Sequence, residues 1–157
     1  MLAVPLQWET LSYAIDKKDI YDPDGDHGVE HNPHVTILYG LHDWLISDSD
    51  VEDALMKFKA PKVRLGKLSI FENPSFDVVK IDVLSDDLAM MNKVFSDFPH
   101  TSDFPDYRPH VTVAYVQKGT GKKYTQSHLS LPDCEIILTD VVYSKSDSSK
   151  IRYKLNG

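Results

Sequence analysis

Pro33-His34-Val35-Thr36-Ile37-Leu38-Tyr39 and Pro109-His110-Val111-Thr112-Val113-Ala114-Tyr115 are two copies of Pro-His-Val-Thr-x-x-Tyr, one in each half of a 157-residue chain. Val, Thr, Ile and Tyr are strand formers, and a proline is tolerated where a strand begins. Side chains alternate along a strand, so His34 and Thr36 share one face and Val35 and Ile37 the other. His110 and Thr112 stand in the same phase. Each copy therefore presents a His/Thr pair opposite an apolar face that can be buried. By that phase Tyr39 and Tyr115 point away from the His/Thr pairs and belong to the core.

Around these copies the chain alternates strands with few helices. Leu11–Ile15 predicts a first strand, with Lys17 and Lys18 after it. Asp22 to Gly28 is rich in turn formers and predicts a loop. The first motif strand runs from His34 to Tyr39 and ends at Gly40. Ser47-Asp48-Ser49-Asp50 supplies N-cap candidates for a helix with Val51, Leu55 and Phe58 as its apolar stripe and Pro61 as its stop. Val63–Phe71 and Phe76–Leu84 predict a hairpin. Ser85-Asp86-Asp87 caps a second helix carrying Leu88, Met91, Val94 and Phe95 at helical spacing. A polar connection from His100 to Arg108 leads into the second motif strand. A loop from Gln117 to His128 comes next, and Ile136–Tyr143 and Ile151–Leu155 close the chain. This order predicts an α+β fold. The repeat adds a pseudo-two-fold arrangement in one domain, 1–157: two antiparallel sheets form a central cleft, with helices outside.

A net charge of −7 argues against a long nucleic-acid track, whose affinity rests on basic residues neutralising phosphates. A small phosphate-bearing ligand held at one local site remains. Cys134, the one cysteine, cannot form an internal disulfide and opens an apolar run, which predicts a buried, inert thiol. Met1 to Glu9 has neither a basic start nor a long apolar stretch, so no signal peptide or membrane span is expected, and a cytoplasmic monomer is.

His and Thr two residues apart on a strand have Cα atoms about 6.5–7 Å apart, close enough to touch one phosphate. Imidazole populates both protonation states near neutral pH. One histidine can remove a proton from an attacking hydroxyl or water while the other protonates the leaving oxygen. Thr36 and Thr112 can donate to the non-bridging oxygens. This chemistry needs no metal or cofactor. A competing reading is a zinc site built from His27, Glu30, His31, His34 and His42, although their spacing matches no established motif and leaves the second copy unused. A third is a catalytically dead nucleotide binder.

The two motifs, His34-Val35-Thr36 and His110-Val111-Thr112, resemble those of the 2H phosphoesterase superfamily, which is defined by two His-x-Thr motifs in a duplicated α+β fold. The chain is similar in size and in its short lead-in to the phage anti-CBASS nucleases of that superfamily, which degrade the cyclic oligonucleotide messengers of bacterial defence. The resemblance implies a metal-independent phosphodiesterase with His34, Thr36, His110 and Thr112 as catalytic residues. It implies an early tyrosine, Tyr13, stacking on a base, ahead of Trp44. Lys17, Arg108 and Lys118, with Lys122 and Lys123, are the cations available to a second phosphate. RNA 2′,3′-cyclic phosphodiesterases and 2′–5′ oligoadenylate phosphodiesterases are the alternative branches. The chain departs from the cyclic phosphodiesterases in placing the acidic loop Asp22–His31, and no evident helix, between first strand and first motif.

Overall fold

The computed structural model describes residues 1–102, 106–126, 129 and 131–157. Its strands are β1 (Leu2–Ala3), β2 (His34–Val35), β3 (Lys62–Glu72), β4 (Phe76–Leu84), β5 (His110–Gln117), β6 (Ile136–Ile137), β7 (Asp140–Ser144) and β8 (Lys150–Lys154). The helices are α1 (Trp8–Tyr13), α2 (Asp48–Met56) and α3 (Asp86–Phe95), with 3-10 turns at Lys17–Asp19, Asp43–Leu45 and Gly121–Gln126. The α+β class agrees with the sequence. The two sheets do not: the eight strands form one sheet in the order β6-β3-β4-β5-β2-β1-β7-β8, and every pairing is antiparallel. The two motif strands pair directly, Val35 opposite Val111, and that pairing joins what would otherwise be two four-stranded blocks. Each motif strand is the innermost of its four.

One face of the sheet is apolar because alternate positions are. Val79, Ile81 and Val83 of β4, Val111 and Val113 of β5, and Val35 beside them are all buried in one core cluster. The helices contribute to that cluster at most of the expected positions, Val51 and Leu55 from α2 and Leu88, Met91 and Phe95 from α3, whereas Phe58 lies past the end of α2 and is only partly buried, and Val94 is half-buried outside the cluster. Met90, one residue off that stripe, is exposed. Ser47 caps α2 through a reciprocal box, its Oγ accepting from Asp50 N and its own N–H donating to the Asp50 carboxylate, each at 3.1 Å. Ser85 caps α3 by accepting from Leu88 N at 3.1 Å and ties it to β3 by donating to the Lys62 carbonyl at 2.6 Å.

Several expectations are corrected. Leu11–Ile15 is not a strand. Leu11 and Ile15 are buried four residues apart, a helical spacing, and α1 covers Trp8–Tyr13; the first strand is Leu2–Ala3. A helix therefore does lie between the first strand and the first motif. The first motif strand stops after Val35 instead of reaching Tyr39, because the chain leaves the ladder to meet α3, where Asn92 Nδ2 donates to the Ile37 carbonyl at 2.8 Å. Gly40 then turns with φ +71, where an added Cβ would stand 2.0 Å from the Thr101 carbonyl oxygen. Ile136–Tyr143 is split: β6 edges one end of the sheet beside β3, and β7 lies between β1 and β8 in the other block. Cys134 is exposed, since it precedes β6 instead of lying within it. The Gln117–His128 loop contains the 3-10 turn Gly121–Gln126, and its end at His128 lies outside the described residues. Among the described residues no helix is long and apolar enough to cross a membrane.

Candidate active site

Two histidines and two threonines meet at the seam between the blocks. With Val35 opposite Val111, the antiparallel register sets His34 across from Thr112, while Thr36 follows Val35 just past the end of β2, toward the His110 end of β5. Directly opposite Cβ atoms lie about 4.5–5.5 Å apart and diagonal neighbours about 7–8 Å, so the histidines flank a space the size of a phosphate. The charge of His34 is felt at His110, as that proximity requires.

Both imidazoles are held the same way. His34 Nδ1 lies 2.8 Å from the Asn32 carbonyl oxygen, and His110 Nδ1 lies 2.9 Å from that of Arg108. A carbonyl only accepts, so each Nδ1 carries the hydrogen, and each Nε2 is the nitrogen that can take part in acid–base chemistry, a base when bare and an acid when protonated. The prolines at 33 and 109 stand between each histidine and its carbonyl partner. Their fixed φ shapes both turns alike. Tyr107 reaches across and donates to the Thr36 carbonyl at 2.7 Å, and burial pushes its phenol above the ordinary range, so it stays neutral.

On the β4 side the seam is polar. Lys80 stands opposite Thr112 and Asp82 opposite His110, on the face away from Val79 and Ile81. Lys80 Nζ donates to Ser69 Oγ at 2.7 Å and to Asp82 Oδ1 at 2.8 Å, and the Ser69 hydroxyl donates to the same carboxylate oxygen at 2.7 Å. Burial would push the Asp82 carboxyl up, but Lys80 and Ser69 outweigh it and hold it below the usual carboxylate range. Burial also holds His110 below the ordinary imidazole value. The Arg108 carbonyl acts upward, Lys80 downward, Asp82 upward and His34 downward. Sequence reading missed these three residues. The sequence carried only half of the signal: Lys80 and Asp82 alternate with Ile81 and Val83, polar against apolar, which marks a polar face of β4 without naming the strand beside it.

Tyr115 is also corrected. β4 and β5 slip register between Val79 and Lys80, so that Val113 of β5 has no partner and Tyr115 faces Val78. Such a bulge reverses the phase of the strand beyond it. Val78 shares its face with Lys80 and Asp82, and Tyr115 therefore rises on the His/Thr side. There it packs against Phe76 at 5.2 Å and His27 at 4.9 Å between ring centroids. Tyr39 is half exposed and close enough to raise the Tyr115 and Tyr107 phenols, although burial is the larger cause for both. A cleft of about 310 Å³ opens beside His34 and Thr36, lined also by Tyr39, Leu41 and Val142.

The cations and aromatics named from sequence do not gather here. Lys17 lies in the turn anchored where Ile20 bridges Val116, at the far end of β5. Lys118 is at the same end, some 20 Å along the strand from Thr112 by strand rise, and pairs with the buried Asp77 at 3.2 Å. Lys123 pairs with Asp19. Lys122 is exposed on the turn Gly121–Gln126. Arg108 is the exception in position, two residues before His110, and its carbonyl anchors the ring. Tyr13 is 90% exposed at the end of α1, and Trp44 is exposed and stacked on His42 at 4.8 Å. The candidate zinc residues are dispersed: His31 packs on Trp8, His27 on Phe76 and Tyr115, and His42 on Trp44. Among the described residues no three His, Cys, Asp or Glu side chains are placed to hold one metal ion.

Residues 26–148 match the model of the protein family described as anti-CBASS protein Acb1, a span that takes in both motifs and the β3–β4 hairpin between them. No curated protein matches the chain.

Proposed function

Because the chain belongs to the anti-CBASS protein Acb1 family, we propose that it cleaves a phosphodiester of a small cyclic oligonucleotide messenger and so silences the signal that a bacterial defence depends on. In this reading residues 1–157 act as one catalytic unit of the 2H phosphoesterase type, a monomer working in the cytoplasm of an infected host. The observation that carries it is the matched pair of imidazoles, each pinned through Nδ1 to a carbonyl, on two motif strands that pair directly at Val35 and Val111.

A phosphate seated between them meets an Nε2 on either side. One neutral imidazole takes the proton of the attacking hydroxyl as the new O–P bond forms. The other, protonated, gives its hydrogen to the oxygen that leaves as the old P–O bond breaks. Thr36 and Thr112 donate to the non-bridging oxygens, where negative charge concentrates. With a ribose 2′-hydroxyl as nucleophile, the first product is a 2′,3′-cyclic phosphate, which water then opens at the same site. The net charge of −7 fits a small ligand better than a polymer.

The test is a product screen read by mass over cyclic di- and trinucleotides, 2′,3′-cyclic nucleotides, 2′–5′ oligoadenylates and ADP-ribose cyclic phosphate. Linearised cyclic oligonucleotide, formed equally well in EDTA, is the expected result. Binding without any new mass would make the protein a messenger sponge, and full loss in EDTA would end the metal-free mechanism. Turnover confined to 2′,3′-cyclic nucleotides or 2′–5′ oligoadenylates would move the chain's substrate to an alternative branch.

A further inference from the structure

The two half-sites have unlike neighbours. On its outer side His34 has Ala3 of β1 directly across the ladder. In the matching place beside His110 stands Asp82, with Lys80 next to it and Ser69 behind. These three polar groups form a closed triangle of hydrogen bonds of 2.7–2.8 Å. The Lys80 side chain is 16% exposed and that of Asp82 40%. Water therefore screens the carboxylate more than the ammonium, and the pair presents a net positive field to its neighbour.

We propose that the Ser69–Lys80–Asp82 cluster is a positioning device for His110 that makes the two histidines inequivalent, His110 acting as the base and His34 as the acid. This rests on the phosphodiesterase reading above. The groups facing His110 are Asp82 and Lys80 from β4 and His34 from β2, with the Arg108 carbonyl in the turn just before β5 and the neutral Tyr107 reaching across the seam. An enclosed ammonium disfavours a second cation beside it, so His110 rests neutral with its Nε2 lone pair ready. Burial and the Lys80 charge both act on it in that sense. Asp82 limits the effect and fixes the ammonium in place. His34, beside an alanine, has no such cation against it on that strand. In the step itself the hydroxyl proton passes to His110 Nε2 as the O–P bond forms. The departing oxygen takes the hydrogen of protonated His34 Nε2, so that one proton enters the histidine pair and one leaves.

Two measurements test this. The first is an NMR titration of the His110 ring in the ligand-free wild-type protein and in Asp82→Asn, Lys80→Met and Lys80→Gln. Removing the carboxylate leaves the ammonium unopposed and lowers the His110 midpoint, by about half a pH unit or more; removing the ammonium raises it by a similar amount. Movement in the same direction in both classes of variant, or none, overturns the proposal, because a merely structural cluster has no signed effect. The second uses a cyclic oligonucleotide with sulfur in place of the leaving oxygen, a thiolate that departs without protonation. It should restore about 10²-fold or more of the activity lost in His34→Ala and none in His110→Ala. Rescue of His110→Ala instead would reverse the roles. If the wild-type protein cleaves no phosphodiester while the NMR shifts appear as expected, it is the phosphodiesterase reading that fails.

Discussion

The His34 half-site and the His110 half-site share a motif and differ in everything that surrounds it. His110 and Thr112 sit in an eight-residue strand, paired with β4 along one side except for the slip at Val113. His34 belongs to a two-residue strand, and Thr36 already lies beyond it, held from the side by Tyr107 and, through the next residue, by Asn92. One half is built from sheet and the other from a short strand propped by side chains. Equal histidine geometry is thus reached by unequal means, and what the two copies have in common is the Nδ1–carbonyl bond alone. That bond depends on a local turn, which is why it survives such different settings.

The largest expected effect would show whether this difference reaches the chemistry. His34→Ala and His110→Ala should each lower kcat by about 10²–10⁴, with binding of the cyclic oligonucleotide largely kept, as calorimetry on the inactive variants would record. A variant that kept near-full turnover would leave a single functional half. Thr36→Val and Thr112→Val come next, each expected to cost about 10²-fold in kcat through a lost donor to the phosphate. A much larger loss at Thr112 than at Thr36 would mean that the sheet-built half carries the developing charge.

Stability sharpens the same contrast. Asp77, 2% exposed, anchors the far end of β5 by accepting from Gly119 N at 2.9 Å, Gly121 N at 3.0 Å and Lys118 Nζ at 3.2 Å. Asp77→Ala strands two backbone N–H groups, and chemical denaturation should show a loss of about 3 kcal/mol. Burial would raise the Asp77 carboxyl, but the Gly121, Lys118 and Gly119 donors outweigh it and hold it below the usual range. Its contribution is therefore complete above the unfolded carboxylate pKa of about 3.9 and lost as pH falls through the lower folded value. Wild-type stability should fall over that acid window, and Asp77→Asn should flatten that part of the curve. The smallest effects are at the helix caps. Ser47→Ala and Ser85→Ala should each cost about 1 kcal/mol, with Ser85 the larger because it also donates to the Lys62 carbonyl.

What could be read in the sequence was whatever depends on local pattern. The motif histidines stood out because the duplication marked them, and α2, α3 and the β3–β4 hairpin were legible from caps, stripes and turn residues. The errors came where long-range pairing decides. Leu11 and Ile15 fit a strand or a helix over so few residues, and only the core they enter selects the helix. Tyr115 was assigned to the wrong face because a one-residue slip against β4 leaves no trace in the β5 sequence. Ile136–Tyr143 looks continuous, yet its two ends serve opposite blocks of the sheet. Ser69, Lys80 and Asp82 could not be associated with His110 before β3, β4 and β5 were known to be neighbours.

The direct pairing of Val35 with Val111 carries one more consequence. The gap between the two motif imidazoles is gauged by the strand-to-strand spacing where β2 meets β5 within one sheet, much as the teeth of a comb are set by its spine. Such a gap does not open or close with a hinge, so fit has to come from the ligand. If the proposed function holds, a cyclic oligonucleotide would have to bend one of its linkages into a mouth of fixed width, and ring size and pucker, more than any motion of the protein, would then decide which messengers are cut.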